Sequence, residues 1–163
     1  MAMERAFLVA AIDSILIAEP TIESRPILDT EIRDVAQLLV DAYVGLAGHE
    51  QTIDDAQAVM DALLAGTFGE PRRDTWLGVW EGYGRPESVI LCTTWRGMPF
   101  IAHVLTAPAA RGRGYASSLV REAAATFQKS GATHVGVTLD RESPFADLFR
   151  ELGFVEMFSS VDA

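Results

Sequence analysis

The sequence predicts an α+β domain built on a mixed, mostly antiparallel sheet. Three observations carry that expectation. Apolar runs over 75–80, 88–96 and 100–106 are separated by short turns at 81–87 and 96–99, and short turns join antiparallel neighbours. A turn holding Gly112 and Gly114 then separates the third run from a long amphipathic pattern over 115–129. Another apolar run, 133–139, follows that helix, and a helical crossover makes it parallel to the strand before it.

The remaining elements follow in order. The segment 7–18 is apolar except for Asp13 and Ser14. Apolar residues at 8, 12, 15 and 16 fit one helix face, so residues 1–20 are expected to form an extra N-terminal helical extension, packed on the domain or on a second subunit. The segment is too short to span a bilayer, and Glu4 and Arg5 cancel where a secretory signal needs a positive start. The run 22–28 reads as a strand, placed at an edge by Pro26. Asp29 and Thr30 are N-cap candidates for a helix to 43 with Ile32, Val35, Leu38, Leu39 and Ala42 on one face. After a loop at 45–51, Thr52 and Asp55 form an acidic variant of the capping box. The helix behind them carries Ile53, Ala56, Val59, Met60, Leu63 and Leu64 and stops at Gly66. Beyond 139, Ser143 caps a short helix with Pro144 at its first position. That helix ends at Gly153, and 154–159 forms a last strand.

Composition limits the function. At 163 residues and 49% apolar, the chain suits one globular domain, 21–163, beyond the extension. A net charge of −10 argues against nucleic acid, whose backbone needs a basic partner face. It fits a soluble protein and a cationic amine substrate drawn by the field. One cysteine, Cys92, excludes an internal disulfide and a cysteine-built metal centre; a cytoplasmic protein is the simplest reading. His49, His103 and His134 stand far apart with no ligand spacing, so no metal is expected.

The most informative stretch is Thr106-Ala-Pro-Ala-Ala-Arg-Gly-Arg-Gly-Tyr-Ala116. A glycine-rich turn opening a helix presents unpaired N–H groups and the positive end of the helix dipole. That is a site for a phosphate or pyrophosphate, and Arg111 and Arg113 add charge there. The absence of Gly-Lys-Ser/Thr excludes a nucleoside-triphosphate P-loop. Gly112-Arg-Gly114-Tyr-Ala-Ser117 lacks the third glycine of a dinucleotide fingerprint.

In this context Arg111-Gly112-Arg113-Gly114-Tyr115-Ala116 resembles the acyl-CoA-binding motif of the GNAT acyltransferase superfamily, Arg/Gln-x-x-Gly-x-Gly/Ala, with Thr106-Ala107-Pro108 where relatives have Val-x-Pro. Leu148-Phe-Arg-Glu-Leu-Gly-Phe154 is similar to the family's terminal Leu-Tyr-x-x-x-Gly-Phe. The resemblance spans about 22–158. It implies a three-layer fold with helices on both faces of the sheet. The implied activity is direct transfer of an acetyl group from acetyl-CoA to a primary amine, without a covalent enzyme intermediate and without a metal. By the same resemblance, the amides of 111–116 and Ser117 hold the pyrophosphate, and the backbone of Leu105 and Thr106 holds the pantetheine arm and thioester carbonyl between splayed strands. Ser143 stands where relatives have an asparagine and can still bond a pantetheine amide. Phe149 stands where many members have the tyrosine that protonates the departing thiolate; this departure feeds a second reading, a non-catalytic acyl-CoA-binding regulatory protein.

The first candidate base is His103, on the strand leading to the motif, with Glu87, Asp140 and Glu142 as alternatives. The loop His49-Glu50-Gln51, with Trp76, Trp80, Tyr83 and Trp95, offers candidate walls for the acceptor, a small molecule or peptide amine. Many relatives are dimers, so a homodimer is a further expectation.

Overall fold

The computed structural model describes residues 5–46, 48–82, 84–140, 143 and 145–157. In chain order these form β1 (Arg5–Ala11), α1 (Ile12–Ile15), β2 (Arg25–Pro26), α2 (Ile32–Ala42), α3 (Ile53–Leu64), β3 (Glu70–Pro71), β4 (Leu77–Val79), β5 (Ser88–Trp95), β6 (Met98–Thr106), α4 (Tyr115–Lys129), β7 (His134–Asp140), α5 (Ala146–Glu151) and β8 (Val155–Glu156). The strands make one sheet in the order β2-β4-β5-β6-β7-β1-β8, with β3 added on β5. Every pairing is antiparallel except β6 with β7, as the crossover through α4 requires.

Alternation along the strands divides the core in two. On one face Val89, Leu91 and Leu105 pack with α2, α3 and Trp76. On the other, Ile90, Cys92, Ile101, Val135 and Val137 pack with α4, Phe149 and Phe154. The long helix α4 buries Leu119, Val120, Ala123, Ala124 and Phe127 on one stripe, the stripe its 3.6-residue period predicts. The capping box at Thr52 and Asp55 is formed in both directions.

The N-terminus departs from the sequence reading. Residues 5–11 are an interior strand of the sheet and no part of a helical extension; helix is confined to the single turn Ile12–Ile15. β1 pairs with β7 over its whole length and with β8 on its other side. Ala6, Leu8 and Ala10 are buried while Arg5 and Phe7 are exposed, a period of two that strand partners on both sides enforce. The helical reading arose because Leu8, a strand residue, stands four before Ile12, a helical one. The segment set apart as 1–20 therefore supplies, over residues 5–11, an interior strand of the sheet.

Smaller differences occur at the edges. The strand expected over 22–28 shortens to Arg25–Pro26, and that over 75–80 to Leu77–Val79 behind a 3-10 turn at Arg73–Thr75. The last strand is described only as Val155–Glu156, and Phe158 and Ser159 lie outside the described residues. Among the described residues no helix is long and apolar enough to cross a membrane.

If β1 is an integral strand, Leu8→Ala, at a side chain 1% exposed, should lower the unfolding free energy by about 2–5 kcal/mol. Urea denaturation checks this; a loss within error of zero would return 5–11 to the status of an appendage.

Candidate functional site

The pairing of β6 with β7 is short. It joins Phe100 to Gly136 and Ile101 to Val137 and stops there, although β6 runs on to Thr106 and β7 to Asp140. Gly136 permits the approach: a Cβ on it would lie 2.7 Å from Cε of Met98 and 2.9 Å from the Phe7 ring. Loss of pairing coincides with a bulge. Leu91 pairs with His103 and Cys92 with Ile101, so Ala102 is left over, and an extra residue bends its strand. Beyond Ala102 the two strands part and leave a gap.

Backbone alternation says which groups face that gap. Ala107 N–H donates to Glu87 O at 2.8 Å, and Leu105 O accepts from Ser88 Oγ at 3.0 Å, so residues 105 and 107 turn toward β5. The peptide groups of Val104 and Thr106 then turn toward β7. Thr106 thus turns its peptide toward the gap. Leu105 does not: its peptide faces β5 and its side chain is 2% exposed in the α2–α3 core. Val104, which the sequence reading did not name, turns its peptide toward the gap because the bulge at Ala102 shifts the phase of the strand.

The gap leads to the glycine turn. Gly112 and Gly114 have φ of 81° and 79°, the left-handed region where a side chain is strained, and a Cβ at either would meet nothing within 4 Å. Residues 111–114 are exposed. The first helical bond of α4 runs from Ser118 N–H to Gly114 O, and no side chain caps the helix, so the amides of Tyr115, Ala116 and Ser117 are the unpaired donors of a helix start. Tyr115 is buried, and its hydroxyl bonds Glu81. The arginines are more committed than expected. Arg111 donates to Ala42 O, at the end of α2, at 2.7 Å, and Arg113 pairs with Glu81 at 2.8 Å.

On the α2 side of the gap a polar and aromatic cluster gathers. Tyr43 stacks on His49 at 5.9 Å and meets Phe145 edge-on at 6.3 Å. His49 Nε2 lies 3.9 Å from Asp140 Oδ2. His103 shares the face of its partner Leu91. Burial pushes its pKa down to about 4, and the charge of Arg5 pushes the same way, so the ring is neutral at physiological pH. Burial raises the Tyr43 phenol and Arg5 opposes it. Arg5, Tyr43 and Phe145 were not singled out from the sequence, because a sheet partner and a loop bring them together.

Other expected residues lie elsewhere. Phe149 is 2% exposed and packs edge-on against Phe154 in the α4 core. Ser143 Oγ accepts from Phe145 N–H at 3.1 Å in the turn before α5. Trp76 is fully buried and donates to Cys92 O; Trp80 lies under Arg25; Trp95 sits at the far hairpin end of β6. None of the three lines the gap, and Tyr83, Glu142 and Pro144 lie outside the described residues. Burial pushes the Cys92 thiol up to about 12, which leaves it a core residue without nucleophilic character. Among the described residues no cluster of His, Cys, Asp or Glu could hold a metal.

A neutral His103 links stability to acid. Its folded pKa of about 4 lies below the ordinary 6.5, so between those values the unfolded chain binds more protons. Stability is complete above 6.5 and declines as pH falls toward 4. His103→Gln should remove that decline, at most about 3 kcal/mol given the ring's partial access at the gap. Thermal melts of both proteins across pH 4–7 check it; parallel curves would mean that His103 is not desolvated.

The GNAT acetyltransferase family model matches residues 32–154. A GCN5-related N-acetyltransferase from Sphaerobacter thermophilus shares the fold at TM-score 0.69 and 16% identity, over 94% of this chain and 48% of that one. An acetyltransferase of the GNAT family from Colwellia psychrerythraea matches at 0.68 and 11%, over 95% and 53%. The aminoglycoside antibiotic 6'-N-acetyltransferase from Acinetobacter haemolyticus matches at 0.60 and 16%, over 85% and 94%. This chain spans about half the length of the first two. No curated protein matches it in sequence. With the match running from the first residue of α2 to Phe154, the chain belongs to the GNAT acetyltransferase family.

Proposed function

We propose that the chain is an acetyl-CoA-dependent N-acetyltransferase that acts on a primary amine by direct attack. The observation that carries this reading is the continuity of the gap with the open glycine turn: strand peptides at Val104 and Thr106 lead to helix-start amides at 115–117. The donors suit a pantetheine arm and a pyrophosphate respectively, and the space a Cβ would fill at Gly112 and Gly114 is free. Coenzyme A, when bound, supplies the activated acyl group; the protein's work is to hold and orient it.

A peptide N–H from Val104 or Thr106 offers a fixed dipole to the thioester carbonyl oxygen, where negative charge develops. Placing amine and carbonyl together supplies much of the remaining acceleration. His103 accepts a hydrogen bond from the attacking amine. With its pKa near 4 it is a weak base for an ammonium ion, so the amine must arrive neutral and His103 orients it and takes part in the late proton movement. Phe149 cannot donate a proton. A thiolate leaves readily near neutral pH, its parent thiol having a pKa of roughly 8.5 on the cysteine scale, so water suffices.

The decisive experiment is calorimetry with coenzyme A, joined to thiol release from acetyl-CoA with a panel of amines. Binding with release supports the enzyme; binding without release favours a non-catalytic acyl-CoA-binding protein; no binding at millimolar concentration removes both. Gly114→Glu should weaken coenzyme A by at least about tenfold through charge repulsion while circular dichroism stays native. In the wild type, kcat/KM should rise with pH as the acceptor deprotonates and show no inflection between pH 5 and 7 that His103→Gln abolishes; finding one would assign His103 an ordinary imidazole pKa.

A further inference from the structure

The N-terminal strand delivers a cation to the rim of the gap. Ala6, Leu8 and Ala10 are buried on the α4 side, so Arg5, Phe7 and Val9 lie on the opposite face, the one that carries His103. The Phe7 ring beside Gly136 confirms that placement. Arg5 stands opposite Asp140 in register, and its Nη2 reaches the Thr138 carbonyl at 3.5 Å. That carbonyl faces the gap. Met157 N–H donates to Phe7 O, which turns the Phe7 peptide toward β8 and the peptide of its partner Thr138 toward β6.

Arg5 therefore overlooks the same space as Tyr43 and His103, both of which respond to its charge. It is exposed, and among the described residues one long hydrogen bond occupies one of its five donors. Among the described residues no carboxylate lies within 4.0 Å of it, and the Asp140 carboxylate lies beside His49. A guanidinium is planar and forked, suited to bidentate capture of a carboxylate or phosphate. Beside it, a second ammonium on a polycation would be repelled. Arg5 also lies outside the residues that the family model matches.

We propose that Arg5 binds an anionic group on the acceptor, so the substrate is an amine that also carries a carboxylate or a phosphate. This rests on the transferase reading of the gap. The transfer is unaltered in its balance: the amine nitrogen bonds the acetyl carbon, the carbon–sulfur bond breaks, the nitrogen loses a proton and the thiolate gains one. Arg5 holds the far end of the acceptor and selects against polyamines.

The test compares wild type and Arg5→Gln on matched acceptors: amino acids, the corresponding amino-acid amides, phosphoethanolamine and spermidine. The wild type should favour the anionic member of a pair by about 10- to 100-fold in kcat/KM, carried by KM, and Arg5→Gln should erase the preference. The amino-acid and phosphoethanolamine arms tell carboxylate from phosphate. A readout free of turnover is calorimetric binding of N-acetyl amino acids against N-acetyl amino-acid amides in the presence of coenzyme A. Equal rates, equal binding, absence of binding by both, or a preference that survives Arg5→Gln overturns the proposal. Coenzyme A affinity should be the same in both proteins; its loss in the wild type would instead overturn the transferase reading.

Discussion

The parting of two parallel strands governs this molecule. Ala102 is one residue too many for its partner strand, and from that point β6 can no longer keep company with β7. Backbone donors and acceptors that a sheet would consume are left facing one another across open space. Such groups are costly to leave without partners, so the gap is a place where an extended, amide-bearing ligand is welcome. The loop, the glycine turn and the α2 end are arranged around that breach.

The central elements were legible from residue pattern. The run over 100–106, the two glycines and the amphipathic stripe of α4 each obey a local rule, and local rules survive folding. The side chains at Phe149 and Leu105 were not legible in the same way. A motif can name a position, but the direction in which a peptide or ring points depends on register, and one bulge reverses it. β1 was misread for a related reason: Ala6, Leu8 and Ala10 make sense only beside β7 and β8, which lie more than a hundred residues further on. His103 was legible as a position and not as a chemical state, because the burial that sets its proton affinity comes from elements distant in sequence.

The charges around the breach are unevenly spent. Arg111 and Arg113, read from sequence as adding positive charge at a phosphate site, are held by Ala42 O and Glu81. Arg111 in this role resembles a helix C-cap more than a ligand-binding group: it satisfies a carbonyl at the end of α2 and so ties the turn to the far face of the sheet. A phosphate held at the glycine turn would then depend on main-chain dipoles, with Glu81 beside it already paired to Arg113. Among the described residues Arg5 is the least encumbered cation nearby, in a protein whose overall charge is strongly negative. The two ends of the breach are thus electrostatically distinct.

The position of β1 also bears on how the chain comes to be folded. It precedes its neighbours in the sheet, β7 and β8, by more than a hundred residues of chain. Until β7 and β8 are in place, Ala6, Leu8 and Ala10 have no home, and an alternating apolar strand has both edges bare, open to mispairing with other chains. Closing a loop of this span is slow compared with the local hairpin of β5 and β6. The pairings that seat β1 between β7 and β8 should therefore form after that hairpin.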